Sequence, residues 1–456
     1  MAKRVGILLL LLTLIASANA GILLMIPSEK NWCVQHWERI QNRSKQGFVS
    51  REFIDKQGVM HNYAVYVPHQ LKVNEKPPLI VFLHGAGEKG TDGTKPLLAG
   101  IGPAIWESKR HFPFVVLFPQ YAPSFQDNTQ DQYFQRVMQM IDFTISEYNI
   151  DPDRISVTGI SMGANQCWDI ADQYPDRFAA VCPLSASCAP KLIKQVVSSN
   201  TAVWNFYVRG DDPLSGDRYR QLYPKLLASG YSPRFTELDG TLSTQWWKHN
   251  AWDYATRNTA FLSWLLQQNR SKNQTERPFE VISPDAESPR WQINDPTWTI
   301  SSQATLDFQG THSAPSPPAR YLNEFQNYEL HLQFKVNQGN GCSLQYFKGL
   351  KTNESGFLKM DIVTAEQGSG GVLEYPEQKW LASSKRLAQH AFVPNEWNEL
   401  RLKVSQSQLN VELNGWGIYS LKKEDCSQLN GDFALSVPDS TTGNVQWRYL
   451  RIREME

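Results

Sequence analysis

The patterning of the chain changes once, near residue 280, and this change restricts the fold more than any other feature. From about residue 60 to 268, short apolar runs rich in β-branched and aromatic residues ("NYAVYVP", "PLIVFLHG", "FVVLFPQ", "RISVTGIS", "FAAVCPLS", "VWNFYVRG") are separated by amphipathic stretches such as "QYFQRVMQMIDFTISEYN" and "ANQCWDIADQYP". Strands alternating with helices require a mostly parallel sheet covered by helices on both faces. The last helical pattern, "TRNTAFLSWLLQQN", ends near Asn269, and the polar, proline-marked stretch that follows reads as a linker over 270–287. From Trp291 onward helical periodicity is gone. "YELHLQFKV", "CSLQYF", "GFLKMDIV", "NELRLKV", "QLNVEL", "DFALSV" and "VQWRYLRIR" alternate between apolar and polar positions and are spaced by glycine, asparagine and proline. Many short strands at close spacing predict an all-β sandwich or barrel over 288–456. The first half then spans 60–269, with a lead-in at 21–59.

Lys3 and Arg4 precede the apolar run "VGILLLLLTLIA", which ends in Ala18-Asn19-Ala20. A basic start, an apolar centre and an A-x-A end describe an export signal over residues 1–20. The apolar stretch continues to Ile26, so an uncleaved anchor, and with it a membrane association, is the alternative. Either way the body is expected outside the cytoplasm. Lysine plus arginine equals aspartate plus glutamate at 45 each, with no basic cluster, so no nucleic-acid partner is expected. None of the six cysteines forms a C-x-x-C pair, so no zinc site is expected. Cys342 and Cys426, alone together in the β-rich half, are the expected disulfide in an oxidising compartment. Cys33, Cys167, Cys182 and Cys188 leave their pairing open. For Cys167 and Cys182, on a predicted helix and strand, buried free thiols are the alternative.

"RISVTGISMGANQCWDIA" places Gly159-Ile160-Ser161-Met162-Gly163 between a strand and a helix. That context turns a serine flanked by glycines into a candidate nucleophile, because a sharp strand-to-helix turn exposes its hydroxyl and tolerates only small neighbours. A serine N-cap between glycines is the alternative. A nucleophile of this kind needs an acid and then a histidine further along the chain. Of nine histidines, only His249 lies after Ser161 and inside the α/β half. It is therefore the candidate base. "VWNFYVRGDDPLSG" ends a strand with Asp211 and Asp212, either of which can orient the imidazole. Asp212, directly before Pro213, is preferred, with Asp211 as the alternative. Backbone amides of Met162 and of Gly85 or Ala86, in "FLHGAG", are the candidate oxyanion donors. His84 in that loop is expected to order it rather than act as a base.

These motifs carry a resemblance. "FLHGAGEKGTDG", "FPQ", "GISMGANQCWDIADQYPDRFAAVCPLSA" and "HNAWDYA" resemble the secreted α/β-hydrolase esterases related to polyhydroxybutyrate depolymerases, feruloyl esterases and prolyl-oligopeptidase-like hydrolases. The resemblance implies Ser161 as nucleophile, His249 as base and Asp212 as acid. Trp246, Trp247, Glu88 and Gln120 are candidate substrate contacts. "YLNEFQNYELHLQFKV", "NEWNELRLKV", "NVELNGWGIYSL" and "VQWRYLRIR" resemble the 3-keto-disaccharide hydrolase-like domain, a concanavalin-like jelly roll. Trp380, Trp397 and Trp416 are its candidate sugar-stacking residues, at least one of them expected in the core.

The expected function is a secreted serine hydrolase that cleaves carboxylic esters without a cofactor or metal, on carbohydrate-linked or polymeric substrates, with the β half able to bind glycans. A serine peptidase using the same triad, and a glycan-binding protein with a vestigial hydrolase domain, are the alternatives.

Overall fold

The apolar runs of the first half assemble as one sheet. In this computed structural model the described residues are 46–455, apart from internal segments of which the longest are 187–198, 212–222, 239–248, 348–356 and 423–430. The export signal, Cys33, Cys188 and the expected Cys342–Cys426 pairing therefore fall outside the described residues. The chain divides into two units. The first holds the chain up to Tyr219 with Glu237–Asn258 and Leu262–Gln274; the second holds Arg220–Thr236, Thr259–Phe261 and the chain from Thr275.

The strands of the first sheet are β1 (Gly47–Ile54), β2 (Met60–Val67), β3 (Leu79–Leu83), β4 (Val115–Phe118), β5 (Ile155–Ile160), β6 (Ala180–Leu184), β7 (Ala202–Val208) and β8 (Arg234–Leu238). They lie in the order β1-β2-β4-β3-β5-β6-β7-β8. β1, β2 and β4 pair antiparallel, whereas β4, β3, β5, β6 and β7 run parallel. Every residue of β3 and β5 is buried, as expected of central parallel strands covered on both faces. Helices α1 (Ile101–Ser108), α2 (Gln130–Tyr148) and α3 (Met162–Gln173) cross between strands. α2 starts where the sequence supplies a capping box: Thr129 Oγ1 accepts the Gln132 amide, and the Gln132 side chain accepts the Thr129 amide. It ends at Asn149 in the left-handed region, φ 53°. Between the caps, Tyr133, Phe134, Val137, Met140, Ile141 and Thr144 form the buried stripe that a 3.6-residue period predicts.

Two expectations change. The final helical pattern is two helices, α4 (Trp252–Arg257) and α5 (Thr259–Gln267), because Asn258 takes an extended conformation, φ −78° and ψ 111°. The predicted linker also begins with a helix, α6 (Arg270–Thr275). Asn269 Oδ1 accepts the Lys272 amide at its start, and Arg270 pairs with Asp153 at 2.6 Å, so a cap and a tertiary ion pair hold a segment with no apolar period of its own. Cys167 and Cys182 are free and buried, and burial raises both thiols well above their usual range.

The second unit is a β-sandwich. Its first sheet contains Trp291–Gln292, Ala319–Phe325, Gly431–Ser436, Cys342–Phe347, Phe357–Val363, Gly371–Tyr375 and Lys379–Ser383, in that spatial order. Its second contains Trp298–Ile300, Leu306–Gln309, Asn444–Glu454, Tyr328–Val336, Trp397–Val404, Gln408–Leu413 and Trp416–Lys422. All pairings are antiparallel. Alternate residues point inward, as in Tyr328, Leu330, Leu332, Phe334 and Val336, and build one core with Trp447 and Phe433. On the other face of the second sheet, Glu399 is buried with Arg401 at 2.9 Å and the Tyr223 hydroxyl at 3.2 Å, and Arg451 lies 3.6 Å away. A buried carboxylate between two guanidinium groups satisfies the rule that buried charges are paired.

Candidate active site

The register of β3 against β5 sets Leu83 opposite Gly159. The residues that follow these two strands therefore emerge side by side at the carboxyl end of the sheet, where open α/β sheets bind their ligands. Ser161 sits there at φ 53° and ψ −114°, a backbone conformation strained for any residue but glycine. Its amide donates to Leu184 O at 3.1 Å, which ties the turn to the end of β6. The flanking glycines are required by crowding. A Cβ on Gly163 would lie 2.1 Å from Leu83 O and 2.6 Å from His84 O, and one on Gly159 would lie 2.6 Å from the carbonyls of Gly163 and Leu83. Close approach of the turn to the end of β3 is what brings the serine beside the His-Gly-Ala-Gly loop.

His249 reaches the serine from the far side of the sequence. Its Nε2 is 2.8 Å from Ser161 Oγ, and its Nδ1 is 2.7 and 2.8 Å from the two carboxyl oxygens of Asp211. A carboxylate can only accept, so Nδ1 carries the proton and Nε2 is left to accept from the serine hydroxyl. The preference for Asp212 is thereby corrected: Asp211 occupies the imidazole, and Asp212 lies outside the described residues. The physical cause is the turn after β7, where Gly210 adopts φ 75° and the Asp211 amide donates to Val208 O. The histidine's own loop is held by Asn250, whose side chain exchanges hydrogen bonds with Asp253 at the start of α4. The Ala251 amide also approaches Ser185 Oγ at 3.4 Å.

Of the candidate oxyanion donors, Gly85 and Ala86 follow β3 and Met162 follows Ser161. Met162 is the first residue of α3, where a helix amide has no partner four residues back. Gly85 and Ala86 open a short 3-10 turn, Ala86–Glu88. His84 orders this loop, as expected. It is 1 % exposed, its Nδ1 lies 2.7 Å from Gly85 O, and its Nε2 accepts the Tyr121 amide at 2.8 Å. Burial pushes its pKa down to about 4, which keeps the ring neutral and able to donate from one nitrogen while accepting at the other. Gln120 turns out to serve the same loop. Its amide donates to Glu88 O and Asp92 Oδ2 and accepts from the Gly93 amide at 2.6 Å. Glu88 folds back over Gly85, where a Cβ would be 3.0 Å from its Oε2. Trp246 and Trp247 lie outside the described residues. In the β unit, Trp416 packs on the core and Trp397 lies under the Arg448 guanidinium at 3.8 Å, while the Trp380 side chain is outside the described residues. Sequence reasoning missed Trp252, although it stands within "HNAWDYA", three residues after His249. Its ring is 5.5 Å from the imidazole and perpendicular to it.

A mostly parallel sheet with a strained serine between strand and helix, joined to a histidine and an aspartate from later loops, is the architecture of an α/β hydrolase. The chain belongs to the family described as "Putative esterase", which it matches over residues 58–307. Residues 278–453 match the 3-keto-alpha-glucoside-1,2-lyase-like domain, so the second unit is a concanavalin-like jelly roll. Among curated proteins, the chain is 26% identical over 205 residues to acetylxylan esterase A of Aspergillus awamori, covering 41% of this chain and 63% of that protein. It is 26% identical over 167 residues to poly(3-hydroxyalkanoate) depolymerase C of Paucimonas lemoignei, covering 32% of this chain and 38% of that protein. The chain thus spans less than two thirds of the length of these relatives. A solved thermostable esterase is 30% identical with a TM-score of 0.44, covering 49% of this chain and 63% of that one.

Proposed function

We propose that this chain is an exported serine esterase that cleaves carboxylic esters attached to carbohydrate, through an acyl-enzyme on Ser161. The observation that carries this reading is the continuous hydrogen-bonded series from Ser161 Oγ through His249 to Asp211, with both bonds between 2.7 and 2.8 Å. Ser161 Oγ attacks the ester carbonyl as its proton passes to His249 Nε2. Asp211 holds the Nδ1 proton in place and stabilises the imidazolium. The oxyanion is met by the amides of Met162 and of Gly85 or Ala86, one such donor being worth about 3 kcal/mol in the transition state. Collapse expels the alcohol, which takes the proton from Nε2. Water then attacks the acyl-enzyme with the same histidine as base.

Membership of the esterase family and the likeness to an acetylxylan esterase support an ester rather than a peptide bond, and a carbohydrate as the group that carries it. The second unit, matched to a sugar-related domain, supports a targeting role toward glycans. Export rests on the residues of the amino-terminal segment. Purified protein is expected to release acetate from acetylated xylan and p-nitrophenol from p-nitrophenyl acetate, with no cleavage of peptide p-nitroanilides, and Ser161→Ala is expected to abolish both ester activities. Peptide cleavage with no ester cleavage would overturn the reading.

A further inference from the structure

We propose that His84 is the positioning residue of the oxyanion site: by holding the Gly85 carbonyl it aims the amide of Ala86, and not that of Gly85, at the oxyanion formed when Ser161 attacks. This rests on the triad proposed above. The partners of the His84 ring fix its proton. A backbone amide only donates, so the Tyr121 amide, 2.8 Å from Nε2, requires that nitrogen to be bare. The neutral ring then carries its proton on Nδ1, which donates to Gly85 O at 2.7 Å. Burial keeps the ring in this neutral form.

Gly85 O also accepts the Glu88 amide at 3.3 Å, closing the 3-10 turn Ala86–Glu88. Two donors thus hold one carbonyl. In a planar trans peptide the carbonyl of one residue and the amide of the next point in opposite directions. Holding Gly85 O therefore turns the Ala86 N–H away from the His84 ring. As the first residue of the turn, Ala86 has no acceptor for that N–H within the turn. Gly85 is buried and Ala86 is exposed, so the Ala86 amide is the one a substrate can reach. The same stretch lies against the residues on either side of Ser161. A Cβ on Gly163 would be 2.6 Å from His84 O, and one on Gly85 would be 3.5 Å from Ile160 Cγ1.

Tyr121 lies just beyond the end of β4, so the ring is a strut between the sheet and the loop of the oxyanion amide. A donor held in place before charge develops needs no reorganisation when the tetrahedral intermediate forms. Its effect belongs to the transition state and is read in kcat, not in substrate binding.

Two substitutions divide the two bonds of the ring. His84→Gln keeps an acceptor near the Nε2 position for the Tyr121 amide but has nothing at Nδ1, whereas His84→Asn keeps a donor near Nδ1 for Gly85 O and gives up the link to Tyr121. In steady-state hydrolysis of p-nitrophenyl acetate by the full chain, His84→Gln is expected to lower kcat by about 10- to 100-fold with KM little changed. His84→Asn is expected to restore most of that loss, although urea unfolding shows both variants destabilised to a similar extent. Ala86→Pro removes the amide itself in a backbone that suits it: Gly85 is extended at φ −76° and ψ 179°, as residues before proline are, and proline is favoured at the first helical position. This variant is expected to lose about 100- to 1,000-fold in kcat while remaining folded, and it tests the aim of the amide if a His84 variant does not fold. Wild-type kcat in Ala86→Pro or in His84→Gln, a His84→Asn variant as slow as His84→Gln, or a loss confined to KM would overturn the proposal. Ser161→Ala in the same assay separates the two claims: its silence upholds the triad, whereas its retaining activity removes the reading on which the role of His84 rests.

Discussion

Asp211 and Asp212 stand next to each other at the end of a strand, and their chemistry as isolated residues is the same. What separates them is a backbone turn through Gly210 at φ 75°, which aims the Asp211 carboxylate at His249 Nδ1. Replacing Asp211 by Asn removes the acceptor that fixes the tautomer, and kcat on p-nitrophenyl acetate is expected to fall by about a thousandfold or more, with KM little changed. Asp212→Asn is expected to stay within a few-fold of wild type. The reverse order of damage would contradict the geometry. The candidate base was legible because five of the nine histidines precede Ser161 and three more lie in the β-rich half. The acid was legible only to the pair, since proximity to Pro213 carries no information about a turn set one residue earlier. Trp252 was hidden for another reason: an aromatic residue three positions from a histidine is common, and only the helix start makes the two rings meet.

At the scale of elements, the turn carrying Ser161 depends on how closely α3 approaches β3. Ala at Gly163 would place a methyl 2.1 Å from the Leu83 carbonyl oxygen and 2.4 Å from its carbon, and backbone on that side has no room to yield. Gly163→Ala is expected to lower stability by about 1–3 kcal/mol and to abolish activity by pushing the end of β3 away from the turn that carries Ser161. Gly87→Ala is the control, since nothing lies within 4 Å of its would-be Cβ. Urea unfolding and ester turnover measured on both variants check this, and an unaffected Gly163→Ala would refute the crowding argument. The six runs named from periodicity in the first half are β2 to β7, because buried parallel strands are dense in β-branched and aromatic residues. β1 and β8 escaped notice: "GFVSREFI" alternates with charged positions and "RFTEL" is short, as befits strands at the two edges of the sheet. The break at Asn258 and the helix over Arg270–Thr275 were illegible because a local conformation and an ion pair to Asp153 decide them, and neither leaves a periodic trace.

At the scale of the molecule, each unit buries a neutral histidine, and this couples its stability to pH. His84 in the first unit is held neutral by burial, with a pKa near 4. Burial in the second unit, reinforced by Arg401 and Arg451, holds His331 well below its ordinary range. An unfolded chain takes up these protons near pH 6.5 and the folded one does not, so stability is complete above about 6.5 and declines as pH falls below it. For His84 the loss between 6.5 and 4 amounts to about 3 kcal/mol. Urea midpoints are therefore expected to drop from pH 7 to pH 4.5, with a shallower drop in His84→Gln; an equal drop in the variant would contradict this assignment. Each unit matches its own family, one an esterase and one a sugar-related domain, and the account of the whole chain turns on what Ser161 does. Treatment of the full chain with a fluorophosphonate, followed by peptide mass spectrometry, tests this most directly. The account predicts one phosphonyl adduct, on the peptide containing Ser161, and none in His249→Ala; an unlabelled Ser161, or label on another serine, would contradict it.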